Sequence, residues 1–167
     1  MSLFTLGRGN NLNMPIDPAA LTQSNTPTVG DTNTLITADT PKGVLGGSLA
    51  GIVGDNIAGK ANPARPIGWV VNNAQGDPFD NSPAVASEML VFHINPNGLM
   101  EIDIYETCLE GTATPLVYAV DDELYTSQNG LATNEAPGGN AVDTNIIGHV
   151  MRVPTATNPK MLVQSKL

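Results

Sequence analysis

The sequence predicts an all-β fold, either a small antiparallel β-barrel or a sandwich, with an extended N-terminal arm. Three observations support this class. The chain of 167 residues contains 17 glycines and 13 prolines, and only 14% of its residues are charged. Beyond residue 45 no segment keeps a 3.6-residue apolar period over ten positions. Such a chain is rich in turns and poor in charged helices, which favours many short strands.

The chain divides into two regions, an arm at residues 1–45 and a β-barrel domain at residues 46–167. The first region is rich in Asn, Thr, Gly and Pro, and its apolar residues are scattered. Residues 16–21 could form one helical turn, with Asp17 as N-cap and Pro18 at the first helical position. Residues 26–39 favour an extended conformation. A long segment with so little core of its own is typical of an arm that lies along a partner.

The second region contains short apolar or alternating runs separated by turn residues. We expect strands at residues 49–53, 67–71, 89–94, 99–105, 115–120, 123–126, 131–133, 146–151 and 161–164. Asn95-Pro96-Asn97-Gly98 and Asn129-Gly130 are hairpin-turn signals. Residues 82–88 form a weaker candidate for a short helix.

Alternation along residues 99–105 predicts which side chains are buried. Met100, Ile102 and Ile104 share one face of the expected strand, and we expect that face to be buried. The other face, which carries Glu101, Asp103 and Tyr105, should contact water or a partner.

An Ile-Gly-x-Val pattern occurs twice, as Ile67-Gly68-Trp69-Val70 and Ile147-Gly148-His149-Val150. A glycine inside a strand marks a bulge, a bend or a close approach of another backbone. Trp69, the only tryptophan, is expected in the core, although an interface position stays open.

The net charge of −9 argues against general binding to nucleic acid or to anionic membranes, because both carry negative charge. Cys108 is the only cysteine, so we expect no intrachain disulfide and no cysteine-based metal cluster, and we interpret it as a small apolar residue at a strand end. Residues 1–13 do not resemble a signal peptide and no apolar run is long enough for a membrane span. Synthesis in the cytoplasm is therefore expected.

One segment has the spacing of a phosphate-binding loop. Gly54-Asp55-Asn56-Ile57-Ala58-Gly59-Lys60 fits G-x-x-x-x-G-K, but the next residue is Ala61 instead of Ser or Thr. Pro63 would also stop the helix whose N-terminus holds the phosphate. A turn is the better interpretation.

Other candidate sites are equally incomplete. A metal site at His93 and His149 would need carboxylates such as Glu101 or Asp103. Gly46-Gly47-Ser48-Leu49-Ala50-Gly51 does not fit the nucleophile elbow of a serine hydrolase. The run Asp121-Asp122-Glu123 could serve a glycosidase or bind calcium, but it lacks aromatic platforms and a full calcium-loop pattern. We therefore predict no catalytic, cofactor-binding or metal residue, and no enzyme.

Several phrases resemble the small head decoration proteins, or cement proteins, of tailed bacteriophages. In chain order the phrases are Arg65-Pro66-Ile67-Gly68-Trp69-Val70-Val71, Asn81-Ser82-Pro83-Ala84-Val85-Ala86-Ser87, Asp122-Glu123-Leu124-Tyr125 with Asn129-Gly130-Leu131, and Ile147-Gly148-His149-Val150. The likeness covers roughly residues 60–165 and depends on the order and spacing of turn and strand residues. The N-terminal region has no counterpart in it.

The resemblance implies a compact β-barrel or tulip-like domain on the outer capsid surface of a virion. Such proteins bind at junctions between major capsid protein subunits and clamp the expanded shell. Residues 1–45 would then order on contact with the capsid, and self-association as a dimer or trimer is expected. Another β-rich virion component (tail, fibre or adaptor) and a carbohydrate-binding or adhesion module stay open as alternatives.

Overall fold

The computed structural model describes residues 4–6, 10–17, 43–54, 57–60, 65–71, 89–109, 111–136 and 145–167. These residues form strands and turns without any helix, which confirms the all-β class. In chain order the strands are β1 (Phe4–Leu6), β2 (Asn10–Pro15), β3 (Leu49–Gly54), β4 (Ile57–Lys60), β5 (Pro66–Val70), β6 (Met89–Ile94), β7 (Leu99–Ile102), β8 (Glu123–Thr126), β9 (Ala132–Thr133), β10 (Gly148–Arg152) and β11 (Met161–Ser165). The described part of the chain has no helix able to cross a membrane.

The strands form two antiparallel sheets. The first has the order β1-β7-β11-β10-β8-β9, and the second has the order β2-β6-β5-β3-β4. One sheet curls into a half-barrel, so the pair fits the predicted barrel or sandwich. Most predicted strands are present, and β6 and β8 have the predicted bounds.

The main core lies where the two sheets face each other. Leu49 and Trp69 of the second sheet pack with alternate residues of the first, and both are fully buried. The partners from the first sheet include Met100, Ile102, Leu124, Ala132, Val150, Met161 and Val163. Burying one large aliphatic side chain contributes about 1.5–3 kcal/mol, so this layer holds the sheets together.

Trp69 lies in the core, which confirms the prediction, and it also links the two sheets by a hydrogen bond. Its indole Nε1–H donates to Oγ of Ser165, at 3.0 Å. Trp69 belongs to β5 and Ser165 to β11, so this polar contact joins one sheet to the other. A buried indole N–H usually needs such an acceptor.

The other face of the second sheet has an apolar cluster of its own. Ala50, Val70 and Phe92, from three neighbouring strands, are fully buried there together with Val44, and Ile16 is nearly so. The second sheet is therefore buried on both faces where these residues lie.

The turn at Asn95-Pro96-Asn97-Gly98 forms, but the predicted hairpin is wrong. The N–H of Gly98 donates to the carbonyl of Asn95 at 2.9 Å, and Asn97 has a φ of 65°. Strands β6 and β7 then lie in different sheets. Pro96 fixes a negative φ at the second turn position, whereas two-residue hairpin turns need a positive φ there. The chain therefore turns a corner from one sheet into the other.

The second turn signal does form a hairpin, which confirms that prediction. Strands β8 and β9 pair antiparallel across it, with Tyr125 opposite Thr133. The N–H of Gly130 donates to the carbonyl of Ser127 at 3.0 Å, and Gly130 has a φ of 70°. A glycine at this position closes a short loop with the left-handed residue that the geometry requires.

Two strand predictions need correction. Strand β7 ends at Ile102 and the chain bends at Asp103, before the predicted end of the strand at Tyr105. Met100, Ile102 and Ile104 are fully buried as expected, but Tyr105 is buried as well and does not lie on a wet face. Residues 115–120 form no strand beyond a single bridge between Pro115 and Cys108.

The two Ile-Gly-x-Val patterns occupy comparable places in the two sheets. Gly68 lies in β5 and Gly148 in β10. A Cβ at Gly68 would lie 2.9 Å from the carbonyl oxygen of His93, and one at Gly148 would lie 2.7 Å from that of Gln164. Each glycine therefore allows close approach of the neighbouring strand's backbone, one of the roles expected from the sequence.

Part of the predicted arm lies in the chain's own sheets. β1 pairs with β7 and β2 pairs with β6, so residues 4–6 and 10–15 add one edge strand to each sheet. Residues 1–3, 7–9 and 18–42 of the arm lie outside the described residues. The expected helical turn beyond Asp17, the extended segment at 26–39 and the candidate helix at 82–88 therefore lie outside them as well. A partner-bound arm stays a prediction.

Candidate binding surface

The loop between Cys108 and Glu123 presents apolar side chains to solvent. Val117 is 83% exposed and Val120 is 63% exposed, although the sequence predicted a strand at residues 115–120. The loop begins as a tight return, because Leu109 donates to Thr114 and Leu116 donates to Thr107 through their main chains. Beyond Leu116 the chain runs out along the surface.

Hydrogen bonds hold the outer part of this loop in place. The Nδ2 amide of Asn134 donates both to the carbonyl of Val117 (2.8 Å) and to Oδ2 of Asp122 (2.9 Å). The same Oδ2 accepts the N–H of Ala119 at 2.7 Å. Asn134 therefore ties both ends of the segment that carries the two valines.

Strand β10 contributes a third exposed apolar residue beside this loop. The N–H of Asp121 donates to the carbonyl of Val150, and the N–H of Val150 donates to the carbonyl of Asp122. Val150 and Arg152 pair with consecutive residues of β11, so Met151 is the extra residue of a β-bulge. Bulges redirect side chains, and Met151 is 41% exposed.

These residues define two parts of one surface. We call the side chains of Val117, Val120 and Met151 the apolar tip. We call the carboxylates of Asp121 and Glu123 the acidic rim. The side chain of Asp121 is 91% exposed, and its Oδ1 lies 3.8 Å from Nδ1 of His149. A contact of this length at so exposed a carboxylate contributes little stability, so the carboxylate of Asp121 is available to a partner.

A second feature is an open cleft of about 330 Å³, which we call the tyrosine cleft. It is lined by Tyr105, Thr107, Leu116, Tyr118, Pro154, Thr155, Ala156 and Pro159. The rings of Tyr105 and Tyr118 meet edge to face, with centroids 5.6 Å apart. The lining has aromatic, proline and hydroxyl groups and no charged side chain, so it suits a neutral ligand.

The hydroxyls of both tyrosines donate hydrogen bonds to main-chain carbonyls. Tyr105 donates to Pro159 at 2.8 Å, and Tyr118 donates to Glu106 at 2.7 Å. Burial raises the pKa of Tyr105. Burial, together with the nearby charge of Glu106, raises the pKa of Tyr118 well above its usual value. Both hydroxyls therefore stay protonated and fix the rings, so neither is poised as a base or a nucleophile.

A buried glutamate organises the β8–β9 hairpin next to this region. Glu106 is 1% exposed, and its Oε1 accepts the hydroxyl of Ser127 at 2.6 Å and the amide of Asn129 at 2.9 Å. The hydroxyl of Ser127 in turn accepts the N–H groups of Asn129 and Leu131. Glu106 could not be recognised from the sequence, because a lone acid between two apolar runs carries no pattern.

The two histidines lie apart, in different sheets. His93 belongs to β6 and is 5% exposed, and its Nδ1–H donates to Oδ1 of Asn11 on β2 at 2.6 Å. Its Nε2 is buried without a hydrogen-bond partner, and burial lowers the pKa of this histidine. His149 belongs to β10. Among the described residues no group of three or more potential ligands could hold a metal ion.

The remaining candidates of the sequence have structural partners. Gly54 and Lys60 lie in the antiparallel pair β3–β4, with Lys60 opposite Ala50, so Lys60 belongs to a strand and not to the first turn of a helix. Glu101 forms an ion pair with Arg152. Glu123 accepts the hydroxyl of Tyr125, which raises the pKa of that tyrosine. Cys108 is buried, and Ser48 donates its hydroxyl to the carbonyl of Leu45.

Comparisons with known proteins identify no relative: no family model, no curated protein and no solved structure matches this chain. The apolar tip and the tyrosine cleft are therefore defined by geometry alone.

The apolar tip was missed because its sequence imitates a buried strand. Residues 115–120 are apolar without alternation, whereas most half-buried strands of this chain alternate. The acidic pair Asp121-Asp122 directly after the run, and Pro115 at its start, were the available signals of a loop.

Proposed function

We propose that this chain is a non-enzymatic decoration, or cement, protein of a tailed-phage head. In this role it binds the outer surface of the capsid at junctions of major capsid protein subunits and stabilises the shell. The apolar tip is the observation that carries the proposal from the structure. The resemblance in sequence supplies the identity of the partner.

The tip has the properties of a protein-binding surface. Large apolar side chains that are exposed together mark interaction sites more often than isolated ones do. Valine is stiff at χ1, and the loop is already held by Asn134, so binding would cost little conformational entropy. A protein that must bind many equivalent capsid positions benefits from such a preformed contact.

The phrases that resemble cement proteins fall on the framework of the fold. Residues 65–71 contain β5, residues 122–125 contain the start of β8, and residues 147–150 contain the start of β10. Asn129-Gly130-Leu131 closes the β8–β9 hairpin. The phrase at residues 81–87 lies outside the described residues. The likeness therefore concerns strands and turns. It supports a shared scaffold in which other residues make the contacts with the capsid.

The test is to mix the purified protein with expanded capsids that lack it. We expect saturable binding and a higher capsid rupture temperature, with unexpanded capsids as the control that binds weakly. Absence of binding to expanded capsids would refute the cement function and favour a tail, fibre or adaptor component.

A carbohydrate-binding module is the second candidate, and the tyrosine cleft is the observation that favours it. Its aromatic, uncharged lining suits a neutral sugar, whereas its edge-to-face rings leave little flat aromatic surface. Calorimetric titration with neutral oligosaccharides tests this function. Saturable heat that disappears in Leu116→Arg would support it, and no heat at millimolar sugar would exclude it.

A further inference from the structure

The geometry points to one kind of partner for the apolar tip: a protein surface with an apolar depression rimmed by lysine or arginine side chains. The inference rests on the proposed function and specifies the chemistry that the capsid subunit must present.

The exposed apolar side chains of the tip favour an apolar recess on the partner. Val117 and Val120 are 83% and 63% exposed, and Met151, which follows the residue of β10 that is hydrogen-bonded to this loop, is 41% exposed. The bulge at Met151 directs a flexible, polarisable side chain outward from β10. Removing these side chains from water requires a partner with an apolar recess, because a polar surface would leave its own groups without hydrogen bonds.

The acidic rim favours positive charge on the partner. Asp121 lies between Val120 and Asp122, and its carboxylate is 91% exposed. Glu123 follows on an exposed position of β8. Two carboxylates beside an apolar contact select a partner whose rim is positive, and they raise the rate of encounter with it.

The same charges disfavour the other occupants. A second copy of the chain would bring its own acidic rim and a net charge of −9 against the first, so like charges would oppose pairing of two tips. An anionic lipid surface is repelled for the same reason. A basic-rimmed protein surface is the occupant that satisfies both parts of the tip.

The backbone conformation at Asp121 allows its charge to be removed by substitution. Asp121 has a φ of 74°, and its neighbours Ala119 and Asp122 close the turn through a main-chain bond of 3.3 Å. Asp and Asn are the non-glycine residues that best tolerate this conformation. Asp121→Asn therefore removes the charge without disturbing the loop, which makes it a clean probe.

The experiment measures affinity and salt dependence of binding to expanded capsids for the wild type and three variants. Val117→Ser/Val120→Ser should weaken binding by roughly tenfold or more per valine. Asp121→Asn/Glu123→Gln should slow association and flatten the salt dependence. Ile52→Ser is the matched control, because Ile52 is 50% exposed on the second sheet. Thermal unfolding of each variant shows that the fold is retained.

The outcomes separate the two proposals. Wild-type binding that the valine variant loses and the control keeps, with a flatter salt dependence in the charge variant, supports the inference. Wild-type binding that the valine and charge variants both retain overturns the inference and leaves the cement function standing. Affinity lost with the valines but insensitive to charge and salt overturns the basic rim. A wild-type protein that does not bind overturns the proposed function and the inference with it.

Discussion

Replacing Gly68 or Gly148 by alanine should destabilise the protein, although a change from glycine to alanine usually stabilises a fold. At Gly68 the new Cβ would lie 2.7 Å from Cδ2 of Phe92 and 2.9 Å from the carbonyl oxygen of His93. At Gly148 it would lie 2.7 Å from the carbonyl oxygen of Gln164. Real Cβ atoms do not approach so closely, and these oxygens belong to paired strands that cannot move alone.

Two opposing effects set the magnitude. Replacing glycine by alanine restricts the unfolded chain and stabilises the fold by about 0.4–1 kcal/mol. Overpacking against a fixed backbone costs about 1–3 kcal/mol. Because the new Cβ meets backbone atoms of paired strands, we take the upper half of the overpacking range, about 2–3 kcal/mol. Subtracting a stabilisation of about 0.7 kcal/mol leaves a net loss of about 1–2 kcal/mol for Gly68→Ala or Gly148→Ala. For a chain of this size that loss lowers the melting temperature by about 2–8 °C.

Urea and thermal unfolding, followed by circular dichroism, measure the effect. Gly111→Asn is the control, because a Cβ at Gly111 meets nothing within 4 Å and asparagine tolerates its φ of 69°. We expect that control to stay within about 0.5 kcal/mol of the wild type. Alanine variants as stable as the wild type would refute the claim that close backbone approach requires these glycines.

Three further predictions concern single side chains. Ser165→Ala removes the acceptor of the Trp69 indole and should lower the free energy of unfolding by about 1–3 kcal/mol in urea titrations, and unchanged stability would show that water replaces the hydroxyl. Burial lowers the pKa of His93, so the folded state resists the proton that the unfolded state accepts, and stability should fall as the pH drops below about 6.5. His93→Gln should reduce this loss of stability at acidic pH. Unfolding curves of wild type and variant at pH 7 and at pH 5 measure the loss, and an equal loss in the two proteins would contradict the prediction. Asn134→Ala should speed amide hydrogen exchange across residues 117–122 while leaving β11 protected, and equal exchange would show that the loop is held by other contacts.

The fold class and most strands could be predicted from the sequence because they depend on local pattern. Alternation at Met100 and Ile102 and the turn chemistry of Asn129-Gly130 act over a few residues, and the structure confirms them. Local pattern did not predict the sheet to which each strand belongs. Pro96 prevents the hairpin that the Asn-Gly signal favours, so β6 and β7 separate.

The exposure of the apolar tip and the formation of the tyrosine cleft depend on tertiary structure. Val117 and Val120 are as apolar as the residues of a core strand, and only the ties from Asn134 and from β10 place them outside. Tyr105 and Tyr118 meet in a cleft although 13 positions separate them, because the chain returns on itself between them. Local pattern determines which residues can be buried, whereas contacts between distant residues decide which of them are.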